Sequence, residues 1–600
     1  MQKIGVLDFG GQYAHLIANR IRRLGVFSEI VSPTATLEEV QQYKGLIFSG
    51  GPSSVYLPEA PEFNKDLMNF PRPILGICYG HQLICQTLGG AVLPGEVKEY
   101  GTAKIRIQKF DGLYAGLDQE ETMWMSHGDS VKIIPPGFEI TADTADCPIA
   151  SVCNVERQIY GLQYHPEVTH SVNGLKLLKN FLKICGCKFD WDLKAYLAQS
   201  IERIKEQAAG RKIFLLVSGG VDSNVCLALL NKALGEDNVY GLHVDNGLMR
   251  KDESAWVKMT LEECGFHNFH VVDAGDVFLK NLKGISDPQA KRKIIGNTFL
   301  DVKDDAVAHT PLAGDDSWLL GQGTIYPDTI ESGGTKHAAL IKTHHNRVDR
   351  INELIALGKV IEPLADLYKD EVRELGELLG LPHRLVWRHP FPGPGLGVRV
   401  LCSGTDKTDD FSDVETRLNA FAAQWKLKVR VLPVKSVGVQ GDARTYAHPA
   451  LLEGDADYDT LEAATTALIN RFPEINRCVW RVSSKAWTGK TTLQICDTSK
   501  PRLDLLREAD AIVTEHLYAR KLYESIWQMP VALIPVGVGG PGESIVLRPI
   551  DSTEAMTANF SRIPQNDLRA IVAEIEAKLP AIHGVFLDVT NKPPGTIEWE

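Results

Sequence analysis

The sequence predicts an α/β architecture in several domains that ends in a duplicated α+β module, and three observations carry that prediction. Over roughly the first 190 residues, short apolar runs end in glycine-rich turns and alternate with helical patterns. A second apolar run, Ile213 to Val217, enters a glycine-rich turn and then a helical stretch. The last third holds a weak internal repeat.

In the first region the expected strands are Ile4 to Leu7, Gly45 to Phe48, Ile74 to Ile77 and Ile159 to Leu162. A polar helical stretch, Leu193 to Arg211, leads to the second region, where Asn224 to Leu234 is helical and Gly235 is a C-cap. In the third, Val431 to Val434, a helix and Cys478 to Val482 parallel Ala532 to Val536, Leu568 to Leu579 and Gly584 to Val589. Leu503 to His516 forms a helix between the copies. The expected domains are therefore 1–194, 195–400 and 401–600, the last as two copies, about 401–500 and 501–600.

Composition narrows the function. With 44% apolar and 23% charged residues the chain reads as globular, and no run approaches the roughly 18 apolar residues that cross a bilayer. The N-terminus lacks the long apolar region of a secretion signal. Eleven scattered cysteines with no CxxC pair fit a reduced, cytosolic protein. A net charge of −12 disfavours non-specific nucleic-acid binding and leaves small anionic ligands as partners.

Three constellations carry chemistry. Pro73-Ile74-Leu75-Gly76-Ile77-Cys78-Tyr79-Gly80-His81-Gln82 reads as a strand that breaks at Cys78 into a helix, a turn that exposes a nucleophile beside helix N–H groups. A lone cysteine is more often a buried apolar residue. Downstream, His165-Pro166-Glu167 ends an extended run, where positions i and i+2 face the same way, so His165 can reach a thiol while Glu167 orients it. This region resembles the class I glutamine amidotransferases, through Gly76 to Gln82, His165 to Glu167 and Ser49-Gly50-Gly51-Pro52. The resemblance implies that Cys78 attacks glutamine, with His165 as base and Glu167 as its orienter. It further implies an oxyanion held by Gly51 and Tyr79, with Gln82 on the substrate. Met125 to Asp129 is similar to the family's substrate-side loop.

The second constellation, Ser218-Gly219-Gly220-Val221-Asp222-Ser223, presents helix N–H groups and hydroxyls to phosphate, with no Walker lysine. The six residues resemble the PP-loop of N-type ATP pyrophosphatases, which implies an ATP site in a doubly wound sheet. The next strand brings Val244 to the same crevice, and Asp222 is the candidate magnesium ligand. Gly321 to Asp328, Glu331 to Gly334 and Lys342 to Asn346 look like further crevice segments.

The third, Arg388 to Arg399, has three prolines and three glycines between Pro390 and Gly397, so it forms a rigid loop suited to close ligand approach. With the tail Lys592 to Glu600, and Lys291 to Gly296, the whole chain resembles the GMP synthetase family, in its longer form with a duplicated C-terminal module. That resemblance implies glutamine, ATP and XMP as substrates. The family's XMP contacts fall on Arg292, Asp442, Gln528, Lys592 and Glu598. It implies a monomer or a homodimer, the first copy standing in for the partner subunit of single-copy members. Rival readings are another glutamine-dependent PP-loop ligase, such as an NAD synthetase, and a catalytically silent nucleotide sensor.

Overall fold

The computed structural model describes residues 2–11, 13–110, 112–310, 317–332, 357–440, 443–483, 491–552 and 558–600. They form two compact units, Met1–Gln199 and Ser200–Glu600.

The first unit is built on a nine-stranded sheet. Its strands are β1 (Lys3–Leu7), β2 (Phe27–Val31), β3 (Tyr43–Phe48), β4 (Ile74–Ile77), β5 (Ala91–Ile107), β6 (Glu120–Ile133), β7 (Glu139–Asp143), β8 (Ser151–Asn154) and β9 (Ile159–Leu162), in the order β2-β1-β3-β4-β9-β8-β7-β5-β6. From β2 through β9 neighbours run parallel, and β4 is buried along its whole length. That double-sided burial is why these strands read as continuous apolar runs. The other half of the sheet is antiparallel and was not anticipated: β5 and β6 form a long ribbon, and residues 125–129, expected as a loop, are part of strand β6.

The second unit contains a parallel sheet of β10 (Ile213–Leu216), β11 (Val239–Asp245), β12 (Phe269–Asp273), β13 (Leu319–Gly321) and β14 (Val360–Ile361), ordered β12-β11-β10-β13-β14. The order reverses between β10 and β13, which opens a crevice at their carboxyl ends. The helix after β10 starts at Val221, three residues earlier than expected, because the glycine turn itself supplies its N-cap, Gly220.

A seven-stranded sheet follows. It comprises β15 (Lys428–Val431), β16 (Ser436–Gln440), β17 (Ala443–Glu453), β18 (Ile475–Arg481), β19 (Val531–Ile534), β20 (Glu543–Leu547) and β21 (Ile582–Asp588), ordered β15-β17-β18-β21-β20-β19 with β16 paired to β17. Within the repeat each outer pair is antiparallel and each inner pair parallel, and β18 meets β21 antiparallel at the centre. The two halves thus face each other across an approximate two-fold axis inside one chain. One apolar core runs from Val244, Phe278 and Ile295 through Leu396 to Leu533 and Leu587, so residues 200–400 and 401–600 are packed as one body.

Candidate active sites

Cys78 is the N-cap of the helix Tyr79–Thr87, which follows β4 directly, and its backbone sits at φ 51°, ψ −104°. A non-glycine residue held there is strained, and such strain concentrates where a side chain must be aimed. The sharp turn needs glycine on its far side: a Cβ on Gly80 would lie 2.3 Å from the Phe48 carbonyl oxygen. Tyr79 is the first residue of the helix, so its N–H lacks an intrahelical acceptor.

His165 lies just beyond β9 and is 3% exposed, its backbone N–H donating to the Trp124 carbonyl at 2.9 Å. Its Nδ1–H donates to Glu167 Oε1 at 2.7 Å, and Cys78, whose Sγ approaches the Ser126 carbonyl at 3.6 Å, is its other charged neighbour. Burial is the largest single influence on this imidazole and opposes its charge. Glu167 and Cys78 together outweigh it and push the pKa up to about 10. Glu167 is fixed in turn by the Arg20 guanidinium, whose Nε donates to its backbone carbonyl at 3.0 Å. Gly50 stands opposite, where a Cβ would meet His165 Cε1 at 3.1 Å. Imidazole and carboxylate are thus hydrogen-bonded and the Cys78 sulfur lies beside the imidazole, an arrangement suited to activating a nucleophile.

At the second site Ser218 Oγ lies 3.2 Å from Ser223 Oγ and accepts the Gly220 N–H at 3.3 Å, while Ser223 Oγ donates to the Gly220 carbonyl at 3.0 Å. Gly219 sits at φ +80°, and its carbonyl is turned away to accept from Asn224 Nδ2 at 3.1 Å and Arg388 Nη1 at 2.7 Å. With that carbonyl tied back, the turn presents N–H groups to a cavity of about 350 Å³. Ser218 to Asp222, Val244, Lys369, Arg373, Arg388 and Phe391 to Gly393 line it. Asp222 pairs with Lys369 through one oxygen, and its Oδ1 is buried without a hydrogen-bond partner. Arg388 pairs with buried Glu253, and burial lowers its pKa to about 10. The crevice segment ahead is close: a Cβ on Gly323 would lie 3.3 Å from the Asp222 carbonyl.

Near the tail, Glu598 accepts from Arg399 Nε at 3.0 Å and Nη2 at 2.8 Å, and Gln528 Nε2 approaches it at 3.5 Å. Gln528 also donates to the Pro390 carbonyl at 3.0 Å, which ties the glycine-proline loop to the tail. Arg292 Nη2 donates to the Glu600 carbonyl, and its Nη1 is buried without a hydrogen-bond partner. Lys592 is half-buried, and burial, followed by nearby Arg548, lowers its pKa.

Comparison with known proteins agrees with this geometry. The glutamine amidotransferase class-I family matches residues 5–185, and the GMP synthase C-terminal domain matches residues 515–599. A protein of Leptospira interrogans serogroup Icterohaemorrhagiae serovar copenhageni, described as "Probable GMP synthase (glutamine-hydrolyzing)", is 49% identical, covering 100% of this chain and 99% of its own. GMP synthases (glutamine-hydrolyzing) of Carboxydothermus hydrogenoformans and Clostridium acetobutylicum are 44% and 38% identical, each covering 100% of this chain and 99% of their own. The chain belongs to the glutamine-hydrolysing GMP synthase family. It is an enzyme that makes GMP with glutamine as nitrogen donor, acting on glutamine, ATP and XMP.

The structure brings together Cys78, His165 and Glu167, then Ser218 to Ser223 with Val244, then Gln528 with Glu598. Asp442 and the segment Gly333 to Asn346 lie outside the described residues. Gln82 is buried and its Nε2 is occupied, donating to the Asp129 carbonyl at 2.9 Å and Gln163 Oε1 at 3.1 Å. Only its carbonyl oxygen is left for a ligand.

Two contributors escaped the sequence reading. Gln163 Nε2 approaches Cys78 Sγ at 3.7 Å, and Glu99 accepts from His127 Nε2 at 3.0 Å, bracing the 125–129 stretch of β6 against β5. Gln163 stands two residues before His165, so the same alternation that aimed the histidine could have found it.

Proposed function

We propose that residues 1–194 release ammonia from glutamine, residues 195–400 activate XMP with ATP, and the two copies in 401–600 complete the acceptor site. The observation that carries this reading is Cys78 beside a His165 that is hydrogen-bonded to Glu167, in the same chain as a phosphate cradle that has no Walker lysine.

In the first half-reaction His165, already protonated, stabilises the Cys78 thiolate, which attacks the amide carbon of glutamine. The N–H groups of Gly51 and Tyr79 hold the resulting oxyanion. His165 gives its proton to the departing ammonia, leaving a γ-glutamyl thioester. Water, deprotonated by His165, then releases glutamate and frees the thiolate. Glu167 keeps the imidazole in the right tautomer throughout.

In the second half-reaction O2 of the xanthine base attacks the α-phosphorus of ATP and pyrophosphate leaves. Ser218, Ser223 and the N–H groups of Gly219, Gly220 and Val221 grip the pyrophosphate. Ammonia then attacks C2 of the adenyl-XMP intermediate and displaces AMP. Arg292 and Lys592 supply positive charge to the nucleotide, while Gln528, Glu598 and Asp442 orient it. Asp222 suits a magnesium ion, because its buried Oδ1 lacks a partner and a carboxylate beside phosphates needs a cation between them. Such an ion would offset charge on the phosphates.

The net charge of −12 fits a cytosolic enzyme of small anions, and among the described residues no helix is long and apolar enough to cross a membrane. The test is to supply ATP, ammonium and one purine nucleotide at a time and to measure AMP. XMP alone should elicit stoichiometric AMP and GMP. AMP release with IMP or a nicotinate dinucleotide instead would overturn the substrate assignment.

A further inference from the structure

The tail that carries Lys592 and Glu598 rests on a charge cluster with no solvent access. Arg477, Arg548 and Asp588 are each at most 1% exposed. Asp588 accepts from Arg477 Nη1 at 2.9 Å and pairs with Arg548 Nη1 at 2.9 Å, and it also accepts from Trp599 Nε1 at 2.9 Å. Arg477 Nη2 and the other Arg548 donors reach mostly backbone, with Thr596 Oγ1 a further acceptor for Arg477 Nη2 at 2.7 Å, while Arg477 Nε is buried without a hydrogen-bond partner. Arg477 Nη2 serves the Val437, Thr596 and Glu598 carbonyls at 2.9, 2.9 and 3.0 Å. Arg548 donates to the Ile597 carbonyl at 3.1 Å and the Thr590 carbonyl at 3.0 Å. Four carbonyls of the tail, at 590, 596, 597 and 598, are thereby fixed on either side of Lys592 and immediately around Glu598.

A buried ion cluster of this kind is a poor device for stability, because apolar residues of similar volume usually serve as well or better. What it supplies is direction: planar guanidinium forks set the positions of several acceptors at once. The other half of the pseudo-symmetric sheet offers an internal comparison. Leu547 opposite Leu587 corresponds to Leu452 opposite Trp480, so one residue further Arg548 and Asp588 correspond to Glu453 and Arg481. That pair is retained with its polarity reversed, Arg481 Nη1 lying 3.0 Å from Glu453 Oε1. In that copy no counterpart of the Lys592 to Glu598 tail follows; Ser484-Lys485-Ala486-Trp487 stands there. The cross-strand pair itself is therefore common to both copies. The polarity that donates to tail carbonyls occurs only where the tail exists, and Arg477 crosses from the first copy to complete it.

We infer that Arg477, Arg548 and Asp588 are positioning residues for the amination half-reaction, holding the tail in the register that presents Lys592 and Glu598 to XMP. The inference rests on the XMP assignment above. The three buried residues sum to one net positive charge, which also favours a phosphomonoester ligand over a neutral nucleoside.

The test is steady-state kinetics of ammonia-driven synthesis in the full-length protein, with XMP and ATP varied separately. Asp588→Asn and Arg477→Met should raise KM for XMP by about 10- to 100-fold, the scale of a misplacement near 1 Å, while KM for ATP and the glutaminase rate stay near wild type. Arg481→Met and Glu453→Gln should leave KM for XMP unchanged. Trp599→Phe removes one hydrogen bond to Asp588 without burying a new charge, and should give a smaller rise in the same constant. An unchanged KM for XMP in Asp588→Asn and Trp599→Phe, or an equal rise in Arg481→Met, overturns the inference. If Asp588→Asn fails to fold, Trp599→Phe alone decides. Lys592→Ala and Glu598→Gln separate the two layers: if they too leave KM for XMP unchanged the XMP assignment falls, whereas if they raise it and Trp599→Phe does not, only the positioning role falls.

Discussion

Removing the Cys78 sulfur should abolish glutamine-driven synthesis and spare ammonia-driven synthesis, because the thiol has no part in activating XMP. Cys78→Ala assayed with glutamine and then with ammonium at high pH checks this, and a folded mutant inactive with both would refute the division of labour. Asp222→Ala should lower both activities by about 10²-fold or more, since each needs ATP and the loss removes a charge-stabilising contact. At His165 the sign of the pH dependence follows from its pKa. Raised from 6.5 to about 10 in the folded state, it makes the native protein bind the extra proton more tightly. Its stabilising contribution is present in full below pH 6.5 and disappears as pH rises through 10. Glu167→Gln removes the largest raising influence, the Glu167 charge, so its denaturant midpoint should depend less on pH between 6.5 and 10 than that of wild type. Its glutaminase rate should drop by about 10²-fold or more, with ammonia-driven synthesis unchanged. Cys78, His165 and Glu167 were legible because each stands at a strand end, where chain direction fixes side-chain direction. Glu99 was not, since its partner His127 lies across a strand pairing that no local pattern specifies.

At the level of elements, the glutaminase loop is seated against a helix whose first residue has no room for a side chain. A Cβ on Gly174, which opens the helix Gly174–Ile184, would lie 1.9 Å from the Pro166 carbonyl oxygen. Gly174→Ala must therefore push the 165–167 segment away from Cys78. Glutamine-driven turnover should fall by about 10²-fold while ammonia-driven turnover holds. Parity of the two ratios would mean that the loop relaxes elsewhere. The expected strands β1, β3, β4, β9 and β10 were read within a residue or two, because burial on both faces leaves an unbroken apolar run, while the parallel strands β2, β12, β13 and β14 were not read. The β5–β6 ribbon was missed for a physical reason. Its buried face alternates correctly through Met123 and Met125, but Glu121 and His127 occupy the same face, and buried polar residues mask the two-residue period.

At the scale of the second unit, the two copies of the repeat each carry a different half of the proposed acceptor site. The first copy keeps Gln440 to Tyr446 and lacks the tail; the second has Val538 to Glu543 in that place and keeps the tail. The repeat was visible in sequence as two matching strand–helix–strand series. The antiparallel meeting of β18 and β21 was not, because strand order is set by packing between distant segments. Arg477 of the first copy already reaches Thr596 and Glu598 of the second, so the two halves are joined through the tail itself. A shared core and a shared ion cluster join the two copies at this axis. We therefore expect specific activity to be independent of protein concentration, with light scattering in the presence of ATP and XMP giving the mass of one 66.2 kDa chain. Dilution until any larger species dissociates is the decisive experiment. If activity falls in step with that dissociation, Asp442 must reach XMP from a neighbouring subunit, and the first copy does not replace it.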